Sequence, residues 1–206
     1  MLDQIRLALS TSPLPGRQAQ ARLAPPGRGD FPEPPKNARV ASVLALFHHF
    51  EGELNLLFIQ RTSPPNDRHA GQISFPGGSV DPGDTDAKDT ALREAEEEIG
   101  IDRNDVEILG ALTPLYIPVS NFIVDPFVGY WGAAAGAEFK LQASEVERTL
   151  WVPFQQLLDP TNRKVGDRKT SRGLLIKDVP YYAVNGEEIW GATAMMTAEL
   201  VALITG

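Results

Sequence analysis

The chain predicts an α/β fold in which helices pack on a mixed β-sheet, and three features carry that expectation. Two adjacent apolar strands lie within residues 38–61, a helix over about 86–99 separates apolar from acidic residues, and an Asn-Gly hairpin leads into a last helix. With 206 residues, one domain plus an arm fits the length, and two full domains would be cramped. Hydrophobic content of 42% and charged content of 22% are those of a folded globular chain, not a disordered one.

Residues 2–10 place Leu2, Ile5, Leu7 and Leu9 on a short, loosely amphipathic helix that the SPLPG run ends. From Ser10 to Lys36 the chain is rich in Pro, Gly, Arg and Ala, and five prolines between Ala24 and Lys36 predict an irregular arm. Residues 1–37 are therefore assigned to helix and arm, and 38–206 to the folded domain. ARVASVLALFHHF reads as a buried strand, Glu51-Gly52-Glu53 as a turn, and LNLLFIQR as the second strand of a hairpin. The loop TSPPNDRHAG leads to ISFPGG and then to the helix.

Beyond the helix, VEILGALTPLYI and NFIVDPFVGYW read as strands, and Phe154 to Leu158 as one helical turn. Residues 159–179 are expected to form a polar, basic loop. PYYAV-NG-EEIW carries the Asn-Gly signal of a type I′ hairpin, because both central residues of that turn need positive φ. A helix from roughly Gly191 to Ile204 closes the chain.

A net charge of −8 argues against the broad positive field that nucleic-acid binding requires. The absence of cysteine excludes disulfides, Cys-ligated zinc and a thiol nucleophile. No secretory-type start and no apolar stretch long enough to span a bilayer occurs, so a cytoplasmic address without membrane contact is expected.

The chemistry concentrates in the helix before Gly100. Glu96, Glu97 and Glu98 end it, where the macrodipole already places about half a negative charge and each carboxylate costs roughly 0.3–1 kcal/mol. Glu94 and Glu98 repel further at i,i+4. A divalent cation is the simplest missing partner. At 100° per residue Ala91, Leu92, Ala95 and Ile99 share one arc, while Glu94, Glu97 and Glu98 share the next. Hard oxygen ligands from one helical turn suit Mg²⁺ or Mn²⁺. Arg93 lies beside Glu97 and is expected to clamp a carboxylate, and Pro76-Gly77-Gly78 lets backbone approach a metal or phosphate closely.

REAEEEIGI at 93–101, preceded by the Gly-Gly loop, resembles the Nudix box: a glycine, five residues, a glutamate, seven residues, then Arg-Glu-U-x-Glu-Glu-x-Gly-U with U aliphatic. The second half fits throughout, with Ala95 as the first U. In the first half Gly78 leads to Asp84, and eight residues then precede Arg93, so the motif carries no role over to Asp84. The run LLFIQRT to GQISFPGG, residues 56–78, is similar to the extra motif of the coenzyme A pyrophosphatase branch, as are GGSVDPGD and EIWGATA. The loop from Arg61 to Gly71 departs by one residue, which shifts the expected arginine to Arg68.

The resemblance implies a Nudix α/β/α sandwich that hydrolyses a nucleoside-linked diphosphate with Mg²⁺ or Mn²⁺. Coenzyme A or its derivatives are the leading substrate, giving 3′,5′-ADP and 4′-phosphopantetheine. It implies catalytic roles for Glu94, Glu97 and Arg93, metal ligation by Glu94, Glu98, Glu97 and Gly77, substrate contacts from Arg61, Arg68, His69 and Gly78, and a homodimer. ADP-ribose or a dinucleotide is the alternative substrate, and a silent nucleotide sensor the alternative class. Glu96 is expected to be exposed without function, His48 and His49 to be satisfied strand histidines, and Trp190, Tyr181 and Tyr182 to serve core or dimer interface, with adenine stacking as the alternative. Arg163, Lys164, Arg168, Lys169 and Arg172 are expected on a solvated or partner-facing loop, with binding of the coenzyme's 3′-phosphate as the alternative.

Overall fold

Strands β1 (Arg39–Phe50) and β2 (Glu53–Arg61) form the expected antiparallel hairpin, with Gly52 at φ +84° in its turn. They belong to a computed structural model that describes residues 1–11, 13–50, 52–62, 71–132, 139–170 and 173–206. Two short strands follow: β3 (Ile73–Ser74) pairs with β2, and β4 (Gly77–Ser79) pairs with β1. Next come β5 (Val106–Ala111), β6 (Leu115–Ile117) and β7 (Phe122–Trp131). β7 runs parallel to β1 while β5 and β6 pair antiparallel with β7, so the sheet is mixed, in the order β3-β2-β1-β7-β5.

Successive strand residues point to opposite faces, and here both faces are covered. Leu44, Leu46, Leu57 and Ile59 pack in one cluster with Ala91, Ala95 and Ile99 of the helix α3 (Ala87–Ile99). Ala45, Phe47, Leu56 and Phe58 pack in the other with Met195, Met196 and Leu200 of the C-terminal helix. Burial on both sides is why these strands read as continuous apolar runs instead of alternating ones. The sandwich is the predicted fold class.

Three expectations are corrected. Residues 146–153, unassigned in the sequence, form β8 (Val146–Pro153) antiparallel to β2. VERTLWVP mixes polar and apolar side chains because only part of it is buried, which hides the strand period. The expected loop at 159–179 is a turn at Pro160–Asn162, then β9 (Arg163–Lys169) and the start of β10 (Leu175–Val184). With β11 (Glu187–Trp190) these make a second, three-stranded sheet. β9 is an exposed edge strand held by backbone pairing, so its side chains carry no apolar signature.

The Asn-Gly hairpin is as expected, with Asn185 at φ 53° and Gly186 at φ 81°. After α1 (Leu2–Thr11), the expected irregular arm holds a second helix, α2 (Gly16–Ala21). Its sequence is proline-free behind Pro15, and a proline is tolerated at a helix start where its missing N–H is not needed. Ile5, Ala19 and Leu23 are at most 2% exposed, so this segment packs on the domain. The helical turn α4 (Phe154–Leu158) and the C-terminal α5 (Gly191–Thr205) complete that layer. Among the described residues no helix is long and apolar enough to cross a membrane.

Candidate active site

Helix α3 begins and ends on sequence-encoded caps. The Asp86 side chain accepts from Asp89 N at 2.7 Å, and Gly100 adopts the left-handed conformation at φ 72°. Backbone amides of a distant segment satisfy its last carbonyls: Gln142 N donates to Glu98 O at 2.9 Å and Lys140 N to Ile99 O at 3.1 Å. Much of the positive charge missing from the helix is supplied by arginines. Arg103 pairs with Glu96 at 2.8 Å and with Asp89 at 3.0 Å, so Glu96 is a partly exposed ion-pair partner at the end of the helix.

Arg93 Nη1 donates to Glu94 Oε1 at 3.0 Å and to Glu97 Oε2 at 3.1 Å, joining two of the predicted catalytic carboxylates as a clamp. Asp84 holds Arg93 from the other side, accepting from Nε at 2.7 Å and from Nη2 at 3.0 Å. Thr90 Oγ1 and Asp81 N each donate to Asp84 Oδ2 at 2.8 Å. Hydrogen bonds from Arg93, opposed by burial, hold the Asp84 carboxyl far below the usual carboxylate range and the Arg93 guanidinium above its own. Asp84→Asn should therefore lower the unfolding free energy by roughly 2 kcal/mol, and Glu97→Gln, at an exposed partner, by under about 0.5 kcal/mol. Urea denaturation curves that shift equally would contradict this ranking.

Glu98 is the buried member of the set, 1% exposed, with Oε2 accepting from Gly77 N at 2.9 Å. Its Oε1 has no hydrogen-bond partner among the described residues and lies 3.7 Å from Arg61 Nη1. Burial pushes its carboxyl up to about 8; the Gly77 amide and Arg61 oppose the rise, and the charges of Glu94 and Glu145 add to it. Burial likewise raises Glu94, with Arg93 opposing and Glu97 and Glu145 adding. Gly78 makes room for Glu94, since a Cβ there would stand 2.5 Å from its Cδ. At Gly77, φ +150°, a Cβ would collide with Ser42 O.

Glu145 is the acidic residue that sequence reasoning missed. It precedes β8, and Arg61 pairs with Val146 in the ladder to β2, which brings Glu145 to the same corner as Glu94 and Glu98. Gln142 Nε2 donates to it at 3.2 Å. A polar residue ahead of an unrecognised strand gave no sequence signal.

The donor set fits a hard divalent cation: carboxylates that repel one another, an unpartnered buried oxygen on Glu98, and no competing sulfur. As the side chains stand, no three acidic or histidine groups among the described residues converge on one point, because Glu94 and Glu97 face Arg93 and Glu98 faces Gly77. Arg61 and Gly78 thus lie at the site with Arg93, Glu94, Glu97, Glu98 and Gly77, while Arg68 and His69 lie outside the described residues. His48 and His49 are satisfied strand residues, with Nδ1 at 2.8 Å from Trp131 O and 3.1 Å from Tyr130 Oη. A separate cavity of about 490 Å³ beside Phe50 and Trp151 lies at the hairpin end of β1 and β2, away from these carboxylates.

Residues 38–174 match the family model of the NUDIX domain. The chain belongs to the Nudix family. This Nudix chain is 32% identical over 158 residues to the human mitochondrial coenzyme A diphosphatase NUDT8, covering 76% of this chain and 66% of that protein. It is 35% identical over 144 residues to the Nudix hydrolase NudL of Photorhabdus laumondii, 70% of this chain and 74% of the relative. Against the mouse peroxisomal coenzyme A diphosphatase NUDT7, identity is 40% over 111 residues, 53% of this chain and 44% of that one. In three dimensions a MutT/nudix protein from Enterococcus faecalis superposes with a TM-score of 0.51 at 18% identity, covering 82% of this chain and 62% of that one, which speaks for the fold.

Proposed function

We propose that this Nudix protein hydrolyses the diphosphate of coenzyme A or its derivatives, releasing 3′,5′-ADP and 4′-phosphopantetheine or its acyl form. The observation that carries the reading is the buried Glu98, whose Oε1 has no hydrogen-bond partner among the described residues and which shares its corner with Glu94 and Glu145. The similarity to proteins named coenzyme A diphosphatases supports the substrate.

Glu94, Glu98 and Glu145 would hold Mg²⁺ or Mn²⁺, with Glu97 and the Gly77 backbone beside them. The bound cation supplies neutralisation of the diphosphate oxygens and makes water more acidic. The chain's own groups do the rest. Arg93, anchored on Asp84, keeps Glu94 and Glu97 in place, and Arg61 adds a positive charge on the side of Glu98. Arg68 and His69 are kept as proposed phosphate contacts. A Glu94 freed from Arg93 is the proposed base.

With Mg²⁺, coenzyme A should yield 3′,5′-ADP faster than ADP-ribose yields AMP, followed by chromatography. Faster turnover of ADP-ribose would overturn the substrate, and turnover of neither would overturn the enzyme reading. The proposal includes a cytoplasmic location and a homodimer, whose mass by light scattering should be twice that of the 206-residue chain.

A further inference from the structure

Residues 140–146 bridge the end of helix α3 to the end of β2, and the bridge carries Glu145. On the helix side Lys140 N donates to Ile99 O at 3.1 Å and Gln142 N to Glu98 O at 2.9 Å. The close approach needs Gly100, because a Cβ there would stand 2.6 Å from Lys140 Cβ. On the strand side, just past β2, Thr62 N donates to Glu145 O at 2.9 Å and Thr62 Oγ1 to Ser144 O at 2.8 Å. Both ends of the bridge are thus tied to elements that hold the carboxylate corner, since α3 carries Glu98 and β2 carries Arg61.

Gln142 is the centre of this bridge. Its amide meets Glu98 O, its carbonyl accepts from Glu145 N and from Val146 N, both at 2.9 Å, and its Nε2 donates to Glu145 Oε1 at 3.2 Å. A carboxylate can only accept, so the last contact also fixes which end of the carboxamide faces Glu145. One residue therefore registers Glu145 against the helical turn of Glu98 through its backbone and orients the Glu145 carboxylate through its side chain. A neutral donor suits that task. An arginine or lysine here would neutralise Glu145 in place of a cation, and a further carboxylate would add to the repulsion among Glu94, Glu98 and Glu145.

We propose that Gln142 is a positioning residue for the divalent cation, acting through Glu145 by holding that carboxylate in register with Glu98. The inference rests on the diphosphatase reading above, which gives Glu145 to the cation.

The test measures Mn²⁺ binding by calorimetry, without substrate, in the wild type, Gln142→Met, Glu145→Ala and the double variant. Methionine keeps the side-chain length and the backbone amide for Glu98 O but lacks the donor, so melting in EDTA should stay within about 3 °C of wild type. Groups that orient a metal ligand are worth about 10–100-fold in affinity, and a single neutral donor belongs at the low end, so Gln142→Met should weaken Mn²⁺ by about tenfold. In the Glu145→Ala background the same substitution should change affinity by less than about twofold, because the group it acts through is gone. Turnover of coenzyme A by Gln142→Met should recover its kcat at raised Mn²⁺, since ion binding is lost and the chemistry is not. A tenfold loss that recurs in the Glu145→Ala background would make Gln142 a structural prop of the α3 end and overturn the proposal. If Gln142→Met binds Mn²⁺ undiminished while the wild type hydrolyses coenzyme A, the positioning role fails and the function stands. A loss coupled to Glu145 in a protein that hydrolyses neither coenzyme A nor ADP-ribose upholds the positioning role and removes the diphosphatase reading.

Discussion

Glu98→Gln should abolish diphosphate hydrolysis and, in buffer containing EDTA, make the protein more stable above neutral pH. Loss of groups that merely orient metal ligands costs about 10–100-fold, so removing Glu98, a ligand under the proposed function, should exceed roughly 100-fold. The stability effect follows from linkage. Burial raises the Glu98 carboxyl in the folded state from the ordinary 4.5 to about 8. Between those values the folded state binds the extra proton, so stability is fully present below about pH 4.5 and falls as pH rises through about 8.

Glutamine keeps an acceptor for Gly77 N and never carries the charge. Every tenfold difference in proton affinity between the folded and unfolded states is worth about 1.4 kcal/mol, and a variant advantage of roughly 2–4 kcal/mol at pH 9 would raise Tm by roughly 5–12 °C. At pH 5 the two proteins should melt together within about 2 °C. Added Mg²⁺ should reverse the order, because a ligand that binds the folded state stabilises it by mass action. Melting curves that stay parallel from pH 5 to 9, or undiminished turnover by the variant, would remove Glu98 from the site.

Helix α3 was legible because its determinants are local. Asp86, the apolar arc of Ala91, Ala95 and Ile99, and Gly100 all act within four turns of chain. What escaped lies across the fold or depends on turn geometry. Spacing alone put the role of Asp84 in doubt, yet the chain entering the helix brings its carboxylate back to Thr90 Oγ1 at 2.8 Å and Arg93 Nε at 2.7 Å. A count along the sequence cannot register a turn that folds back on itself.

The apparent charge excess at the helix end was likewise a local count. Arg103 answers Glu96 from beyond the helix and Arg61 approaches Glu98 from β2, both through tertiary packing. Glu145 arrives by the pairing of β8 with β2, a long-range contact invisible to periodicity. The case for a cation survives in narrower form, resting on Glu94, Glu98 and Glu145 instead of the whole acidic run.

Glu199→Ala should be the most destabilising single substitution outside the active site. Glu199 is fully buried in α5, and its oxygens accept from Gly16 N at 3.1 Å, Gln20 Nε2 at 2.8 Å, Thr113 Oγ1 at 2.6 Å and Thr113 N at 3.1 Å. One carboxylate thus ties α2 and the segment before β6 to the C-terminal helix. A buried carboxylate is tolerated only when its acceptors are used, and here four donors use them.

Truncation to alanine strands those donors in a dry interior, at a cost of about 3–5 kcal/mol. For a chain of this size that is a Tm loss of roughly 6–20 °C. Gln20→Ala removes one donor and leaves the carboxylate three others, so its cost should be nearer 1 kcal/mol. Because α2 sits on this contact, Glu199→Ala should also speed proteolysis between α1 and β1 under native conditions, whereas Gln20→Ala should do so only weakly. Equal melting points for the two variants would show that Glu199 does not carry the N-terminal segment.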